Sequence, residues 1–248
     1  MTFATELFSV CPHDTAKNLA GWFILNTYLQ RNLGCRLHFE PKDNFIQERA
    51  AVLAGPYRLV YANPFSAAIF RKERGFIPVA RPAGVFDETF LVAAAGKGIG
   101  EHRPLRIASA TDKLIVHALG IGLLEEQGIP IADCEFVFVG THLAAAQAVI
   151  QGKTDLAFVY NETWQGMTDT TRQALQLLAE TRSRRAYHCF CLAPEWQDKF
   201  QTLQDLLCNM HTQPQGSRIL EDLHFTRFEP AAESDLDTLA AMIDGLAN

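Results

Sequence analysis

The chain has 248 residues, which is enough for two lobes of ordinary domain size, each with its own core. Its net charge of −6 and its lack of a basic stripe argue against nucleic acid as a partner. Apolar residues make up 48% and charged residues 20% of the chain, as in an ordinary globular protein, and no apolar tract has the length of a transmembrane segment.

The cysteines and the N-terminus bear on the compartment of the protein. None of the six cysteines forms a CxxC pair or a zinc-type spacing, so the sequence predicts neither a metal site nor a cofactor. Six thiols without a disulfide pattern favour a reducing compartment. Residues 1–10 have neither the basic n-region nor the apolar h-region of a secretory signal. We therefore expect a cytoplasmic location for the sequence as written, or a periplasmic location if a signal peptide has been removed.

The first part of the chain alternates between strand-like and helix-like segments. Gly34 ends the first helix, and Asp43 is the predicted N-cap of the second. The glycine-rich stretch 95–100 lacks the G-x-G-x-x-G spacing of a nucleotide loop, so we interpret it as a linker into a second lobe. The predicted strands are 5–10, 36–40, 58–62, 77–80 and 89–94, and the predicted helices are 15–31, 44–54 and one that begins at 63–66.

The rest of the chain continues this alternation. Residues 110–113 are predicted to cap the helix that begins at 113. Repeated strand–helix alternation is typical of parallel α/β sheets. The predicted strands are 105–109, 136–139, 155–160 and 187–192, and the predicted helices are 113–127, 142–151, 170–180, 195–210 and 234–246.

One pattern occurs twice: a helix, a glycine, a short buried strand and a polar residue at the end of that strand. Residues 50–63 contain the first copy and residues 144–162 contain the second. Ligands of open α/β sheets bind outside the carboxyl ends of the strands. The two copies therefore predict two similar lobes that face one ligand-binding cleft.

Several short motifs lie in the order that a known family has. Gly140-Thr141-His142 precedes an alanine-rich helix, and Gly152 and Asp155 follow that helix. The other matching segments are 61–66, 161–162 and 225–237. In this order the chain resembles the solute-binding proteins of phosphate, phosphite and phosphonate ABC transporters, a branch of the type 2 periplasmic binding protein fold.

The resemblance implies an α/β, two-lobed fold with two mixed, mostly parallel sheets joined by two hinge strands. Residues 1–95 plus 190–248 would form lobe one, and residues 96–189 would form lobe two. The lobes would close on a ligand in the cleft by a hinge motion, and the loop at 13–15 would face that cleft. The family role is capture and delivery of the ligand, without chemistry.

The chain departs from the family at the turn that holds the phosphoryl group. Phosphonate binders carry a Ser-Thr-Ser-Gly turn there, at the first helix of lobe two, whereas this chain has Ala110-Thr111-Asp112-Lys113. Only Thr111 retains a hydroxyl. The carboxylate of Asp112 would repel an anion, and Lys113 would offset this repulsion if it points inward.

The candidate ligand contacts follow from the resemblance and from residue type. His142 and Glu162 match family positions that bind an oxyanion or carbonyl and an amino group, respectively. The hydroxyls of Ser109, Thr111 and Thr141 suit an oxyanion, although serine and threonine are also the commonest N-caps. The remaining candidates are Tyr61, Asn63, Phe65, Lys113 and Tyr187.

Two classes of function are compatible with these residues. The first is a solute-binding protein that captures a small polar, anionic, phosphonate- or phosphate-like ligand for ABC transport or for sensing, with a permease or a sensor protein as partner. The second is a cytoplasmic enzyme on the same fold that acts on a small organic acid, with His142 and Glu162 as general acid and base. The chain contains no GxSxG, HExxH or Walker motif, which favours the binding protein.

Overall fold

The structure is a computed structural model that describes residues 5–245. The chain divides into two compact units. Of the described residues, those within Met1–Val85 and Tyr187–Ala241 form the first unit, and those within Phe86–Ala186 and Met242–Asn248 form the second. None of the helices in the described part of the chain combines the length and the apolar character needed to cross a lipid bilayer.

The first unit begins with alternating strands and helices. These are β1 (Thr5–Val10), α1 (Pro12–Leu33), β2 (Arg36–Phe39), α2 (Phe45–Ala54), β3 (Tyr57–Ala62), α3 (Pro64–Arg74) and β4 (Ile77–Pro82). Helix α1 ends at Gly34, whose φ of 63° lies in the left-handed region that favours glycine.

The second unit repeats the alternation and contains a second sheet. Its elements are β5 (Thr89–Ala94), β6 (Leu105–Ser109), α4 (Ile115–Glu126), a 3-10 helix (Ile131–Asp133), β7 (Cys134–Phe138), α5 (His142–Ile150), β8 (Leu156–Tyr160), α6 (Asn161–Gly166), α7 (Asp169–Gln173) and β9 (Leu175–Glu180). The strand order is β7-β6-β8-β5-β9. Strand β6 is parallel to β7 and β8, and β5 is antiparallel to β8 and β9.

The chain then returns to the first unit and completes its sheet. The remaining elements are β10 (Cys189–Leu192), a 3-10 helix (Pro194–Lys199), α8 (Phe200–Cys208), a 3-10 helix (Met210–Thr212), α9 (Pro214–Asp222), β11 (Phe228–Pro230) and α10 (Glu233–Gly245). The strand order is β11-β4-β10-β3-β1-β2. Strand β1 is parallel to β2 and β3, whereas β10 is antiparallel to β3 and β4. The predicted α/β class with two mixed sheets is confirmed.

Each unit has its own apolar core. Strands β8 and β10 are buried at every residue, as expected for central strands with helices on both faces of the sheet. In the first unit the Tyr61 ring lies 4.7 Å from the Trp22 ring and 4.9 Å from the Phe190 ring. In the second unit, Ala145 and Ala146 are fully buried and leave room for α5 to approach the sheet closely.

The boundaries between the units differ from the predicted lobes. The first boundary was predicted at residue 95 and lies at Val85, because β5 pairs with β8 and β9 of the second sheet. The glycine-rich stretch 95–100 is therefore a loop between β5 and β6 and not a linker between lobes. The second boundary was predicted at 189 and lies at Ala186.

The predicted helix 170–180 is wrong. Helix α7 ends at Gln173, and β9 begins at Leu175 and pairs with β5. Leucine, glutamine and alanine are good helix formers, but the open edge of β5 and burial of Leu175 outweigh this local preference.

Local capping and the C-terminal elements account for the other differences. Asn44, and not Asp43, caps α2, and its side chain accepts hydrogen bonds from two backbone N–H groups of the first turn. Helix α4 begins at Ile115 without a side-chain cap, so residues 110–113 do not cap it. The predicted helix 195–210 is a 3-10 helix followed by α8, and α9 and β11 were not predicted.

Two glycines of α4 provide a matched test of the packing between this helix and its sheet. A Cβ atom on Gly120 would lie 2.5 Å from ring atoms of Phe158, whereas a Cβ atom on Gly122 would meet nothing within 4 Å. We expect Gly120→Ala to lower the free energy of unfolding by about 1–3 kcal/mol, because the overpacked ring must move. Gly122→Ala should leave it unchanged or raise it by up to about 1 kcal/mol, through helix propensity. Urea unfolding measures both, and equal effects would contradict the packing.

Candidate functional site

Polar residues of the first unit meet at the carboxyl edge of its sheet. Cys11 follows β1, and Asn63 follows the parallel neighbour β3. Strand β10 runs antiparallel to β3 with Cys189 opposite Ala62, so His188 lies at the same edge. The backbone N–H of Cys11 donates to the carbonyl of Tyr61 at 2.7 Å, which fixes the end of β1 against the end of β3.

A hydrogen-bond network surrounds the N-terminus of α3. The Asn63 side chain accepts from the Ser66 N–H at 2.9 Å, and its amide donates to the Ser66 hydroxyl at 3.1 Å and to the Cys11 sulfur at 3.5 Å. Arg49 donates to the same hydroxyl at 3.2 and 3.1 Å, and its guanidinium lies 4.7 Å from the centre of the Phe65 ring. The network therefore holds a cation beside the start of a helix.

Buried titratable groups lie in the same part of the first unit. His188 Nδ1 and Asp14 Oδ2 are 2.6 Å apart, and each side chain is only 10% exposed. Burial raises the pKa of the Cys11 thiol to about 12, although the charge of His188 opposes this shift. Burial also raises the pKa of Glu48 to about 8, so this carboxyl group is protonated at neutral pH.

Parallel pairing also defines a carboxyl edge in the second unit. Strand β6 lies between β7 and β8, and all three run in the same direction. The segments that follow these strands therefore come together. They bring six predicted residues to one edge, namely Ser109, Thr111, Lys113, Thr141, His142 and Glu162.

The segment after β6 has the altered turn. The Thr111 hydroxyl accepts from the Lys113 N–H at 3.2 Å, and the Lys113 amine lies 2.9 Å from Asp112 Oδ2. Burial opposes the change, but the hydrogen bond and charge of Lys113 lower the pKa of Asp112 below its ordinary value. Lys113 thus neutralises the carboxylate next to it.

His117 lies beneath this turn. Its Nδ1 atom is 3.3 Å from the Ser109 hydroxyl, and its ring makes edge contacts with Phe136, Phe138 and Phe158. Burial lowers the pKa of His117 to about 4, so the ring is neutral at pH 7 and has both a donor and an acceptor nitrogen. The Ser109 hydroxyl therefore meets a neutral imidazole.

The segments after β7 and β8 complete the edge. The Thr141 hydroxyl accepts from the Ala144 N–H at 3.1 Å and so caps α5. The ring of His142, the first residue of α5, lies 5.6 Å from the ring of Tyr160. The Tyr160 hydroxyl in turn donates to Asp87 at 3.0 Å. Glu162 lies in the first turn of α6.

The first-unit candidates have structural contacts of their own. Tyr61 and Tyr187 are each 1% exposed, Asn63 is 4% exposed and Phe65 is 5% exposed. The Tyr187 hydroxyl donates to Asp235 at 2.8 Å, which fastens the start of α10. These contacts give each of these residues a structural role. They do not by themselves identify any of them as a ligand contact.

Among the residues of the two edges, Arg49, His117 and His188 were not candidates. His188 lies beside a strand end and His117 lies in the first turn of α4, whereas Arg49 lies further along α2 and reaches the start of α3 through its side chain. The available signal was a polar residue next to an apolar strand, as in His188 before Cys189. For Arg49 and His117, which lie within helices, the sequence offered no such signal.

The comparisons with known proteins first define the class. XAC2383 from Xanthomonas citri bound to ATP is 15% identical and covers 98% of each chain with a TM-score of 0.80. PhnD1 from Prochlorococcus marinus in complex with methylphosphonate is also 15% identical, over 98% of each chain, with a TM-score of 0.76. The sulphonate-binding protein SsuA from Escherichia coli is 11% identical over 98% of this chain and 91% of its own, with a TM-score of 0.68. The fold is that of the periplasmic binding proteins.

The family follows from the sequence comparison. The family described as "ABC transporter, phosphonate, periplasmic substrate-binding protein" matches residues 8–236, and the chain belongs to it. The predicted family is thus confirmed. This is a family of solute-binding proteins that bind small anions and work with ABC permeases, and it is not a family of enzymes. No curated protein sequence matches the chain.

Glu48 makes the stability of the protein depend on pH. Its folded pKa of about 8 lies above the ordinary value of 4.5, so the stability it contributes is complete below pH 4.5 and is lost as pH rises towards 8. Over this window, wild type should lose about 1.4 kcal/mol per pH unit relative to Glu48→Gln, which does not titrate. Urea unfolding at several pH values from 5 to 8 measures the difference.

The control for this prediction is Glu125→Gln, which removes an exposed carboxylate from α4. Its difference from wild type should stay constant with pH. If the Glu48→Gln difference is equally constant, Glu48 is not held in its protonated form.

Proposed function

We propose that this chain is the substrate-binding component of an ABC importer and that its ligand is a small phosphonate- or phosphate-like anion. The observation that carries the proposal is the family match, which extends over residues 8–236. Members of this family capture an anion and present it to a permease. The polar residues at the carboxyl edges of the two sheets are the proposed ligand contacts.

The second unit supports anion binding through the start of α5. The N-terminus of a helix has a partial positive charge and backbone N–H groups that suit an anion. His142 is the first residue of α5, and Thr141 caps it. We assign His142 to an oxygen of the anion and Glu162, at the end of the neighbouring strand β8, to a positively charged substituent of the ligand.

The first unit supports anion binding through Arg49. Its guanidinium is held by the Ser66 hydroxyl and the Phe65 ring beside the start of α3. A guanidinium and a helix start both attract an anion, and arginine pairs well with phosphoryl and sulfonyl oxygens. Because Glu48, the next residue, is protonated at neutral pH, it does not cancel this charge.

The altered turn bears on the class of ligand. The ion pair of Asp112 with Lys113 takes the place of neutral hydroxyls, so this turn has no net charge but contains a fixed carboxylate. We infer that the turn makes fewer contacts with phosphoryl oxygens than a Ser-Thr-Ser-Gly turn does. The other proposed contacts then contribute more to holding the anion than this turn does.

The compartment and the partner are also part of the proposal. The family is periplasmic, and a permease is the partner that its role requires. In contrast, all six cysteines are free thiols, and free thiols are typical of proteins in a reducing compartment such as the cytoplasm. Fractionation of cells that express the full-length gene distinguishes a periplasmic carrier from a cytoplasmic sensor of the same ligand.

Thermal unfolding against a ligand panel tests the proposed ligand class. The panel contains phosphate, phosphite, methylphosphonate, aminoethylphosphonate, an alkanesulfonate and several carboxylates. A ligand present at about 100 times its Kd should stabilise the protein by about 2.7 kcal/mol. We expect this shift from a phosphonate or phosphate, and a shift with carboxylates alone would overturn the ligand class.

Variants of the proposed contacts test the site with the ligand so identified. His142→Ala and Arg49→Met should each weaken binding more than tenfold, or about 1.4 kcal/mol, because each removes a partner of the anion. The matched controls are His211→Ala and Arg218→Met, at exposed positions of the first unit. If calorimetry finds His142→Ala and Glu162→Ala both within about twofold of wild type, the assignment of the second-unit edge is wrong.

A separate prediction concerns the carboxylate of the altered turn. Asp112→Asn should raise the affinity for the anion several-fold, because it removes a like charge and leaves the Lys113 amine without its acidic neighbour. The gain should shrink as ionic strength increases. The control is Glu135→Gln, which removes an exposed negative charge at the opposite end of the same sheet and should leave the affinity unchanged.

A further inference from the structure

Three potential metal ligands meet at the carboxyl edge of the first sheet. Cys11 lies directly after β1, Asp14 lies in the first turn of α1, and His188 directly precedes β10. One ligand atom from each residue, a sulfur, a carboxylate oxygen and a ring nitrogen, lies within 4.8 Å of the other two. We call these three residues the Cys11–Asp14–His188 cluster.

The backbone holds the cluster in place from three sides. The Cys11 N–H donates to the Tyr61 carbonyl at 2.7 Å, and the Asp14 N–H donates to the Cys11 carbonyl at 2.9 Å. His188 is fixed by the pairing of Cys189 with Ala62. The ligand atoms therefore sit on the rigid end of a sheet and the start of a helix, which is where a metal site gains precision.

The distances are close to those of a zinc site. Zinc–ligand bonds of about 2.0–2.3 Å at tetrahedral angles place ligand atoms about 3.3–3.6 Å apart. His188 Nδ1 and Asp14 Oδ2 are 2.6 Å apart, so they would separate by about 0.7 Å. The ligand atoms all lie within 4.8 Å of one another, so any other pair would approach by at most about 1 Å.

The donor set determines the class of ion. Thiolate sulfur and imidazole nitrogen together select zinc and related transition metals over magnesium or calcium, which prefer oxygen. Cys11 is 1% exposed, which prevents it from acting as a nucleophile towards a bulky substrate. The Asp14 and His188 side chains are each 10% exposed, so an ion can reach the cluster from that side.

A second layer of contacts supports the cluster. The Asn63 amide donates to the Cys11 sulfur at 3.5 Å and so orients this ligand atom. The Asn63 side chain is itself held by Ser66, at the network beside α3. Outer contacts of this kind orient the ligands and tune the affinity of metal sites.

We propose that the Cys11–Asp14–His188 cluster binds one zinc ion, with a fourth coordination position open to water or to an anionic oxygen. On binding, the ion forms one bond to each of the three residues, and the Cys11 thiol proton passes to the buffer. The proposal does not depend on the proposed function, because the ion is held by the first unit's own residues.

Zinc titration of the purified full chain tests the proposal without any anionic ligand. Competition with a chromophoric chelator should give one equivalent of zinc per chain. Cys11→Ser, Asp14→Asn and His188→Gln should each weaken zinc binding by at least about tenfold, since even outer-shell changes cost 10–100-fold. The matched controls Cys208→Ser and His211→Gln lie outside the cluster and should bind zinc as wild type does.

Cobalt substitution provides a second readout in the wild-type chain, which avoids variants that fail to fold. Bound Co²⁺ should give a thiolate-to-metal charge-transfer absorption that disappears in folded Cys11→Ser and persists in Cys208→Ser. Failure of the folded wild type to bind zinc, or wild-type zinc affinity in all three cluster variants, would overturn the proposal. If the chain binds the anion but not zinc, the zinc proposal fails and the proposed function stands. If the chain binds zinc but not the anion, the proposed function fails and the zinc site stands.

Discussion

Parallel strand pairing is the constraint on which both edges of this protein depend. In the first unit β1 runs parallel to β3, and in the second unit β6 runs parallel to β7 and β8. Within each sheet, the carboxyl ends of these strands therefore lie at the same edge. Residues far apart in the sequence then become neighbours, and the helices that follow begin there. In the first unit the antiparallel strand β10 starts at this side as well and brings His188 to Asp14.

Burial determines which of the edge residues are charged. It keeps Glu48 and Cys11 protonated and His117 neutral, because removing these groups from water penalises their ionised forms. The first edge then has Arg49 as a cation without a negative charge from its sequence neighbour. An overall charge of −6 is therefore compatible with an anion-binding role, since local charge and net charge are separate quantities.

The fold of the family depends on the buried residues, whereas the altered turn after β6 is a feature of the surface. The fold is shared with phosphonate- and sulfonate-binding proteins that are only 11–15% identical, because burial pattern and strand order specify a fold without specifying surface residues. The turn after β6 belongs to the surface. There, Asp112 and Lys113 form an exposed ion pair, and a substitution at such a surface turn can change ligand contacts without changing the fold.

The sequence by itself determined the elements whose periodicity matches their environment. The buried strands β3 and β8, the glycine end of α1 and the start of α5 at Thr141-His142 were all predicted from local pattern. The local pattern gave a wrong prediction where tertiary pairing outweighed local preference. The leucines and glutamine of β9 favour a helix, but this segment pairs with the edge of β5. The local pattern also failed to place β5 in the second sheet.

Only the tertiary structure decided which polar residues meet. His188 and Asp14 are 174 positions apart, and no spacing rule connects residues at that separation. Their contact depends on the order of strands in the first sheet and on the direction of β10. The same holds for Ser109 and His117, whose contact requires α4 to pack its first turn against the end of β6. Local sequence fixes local conformation, whereas the assembly of a site depends on how strands pair across the sheet.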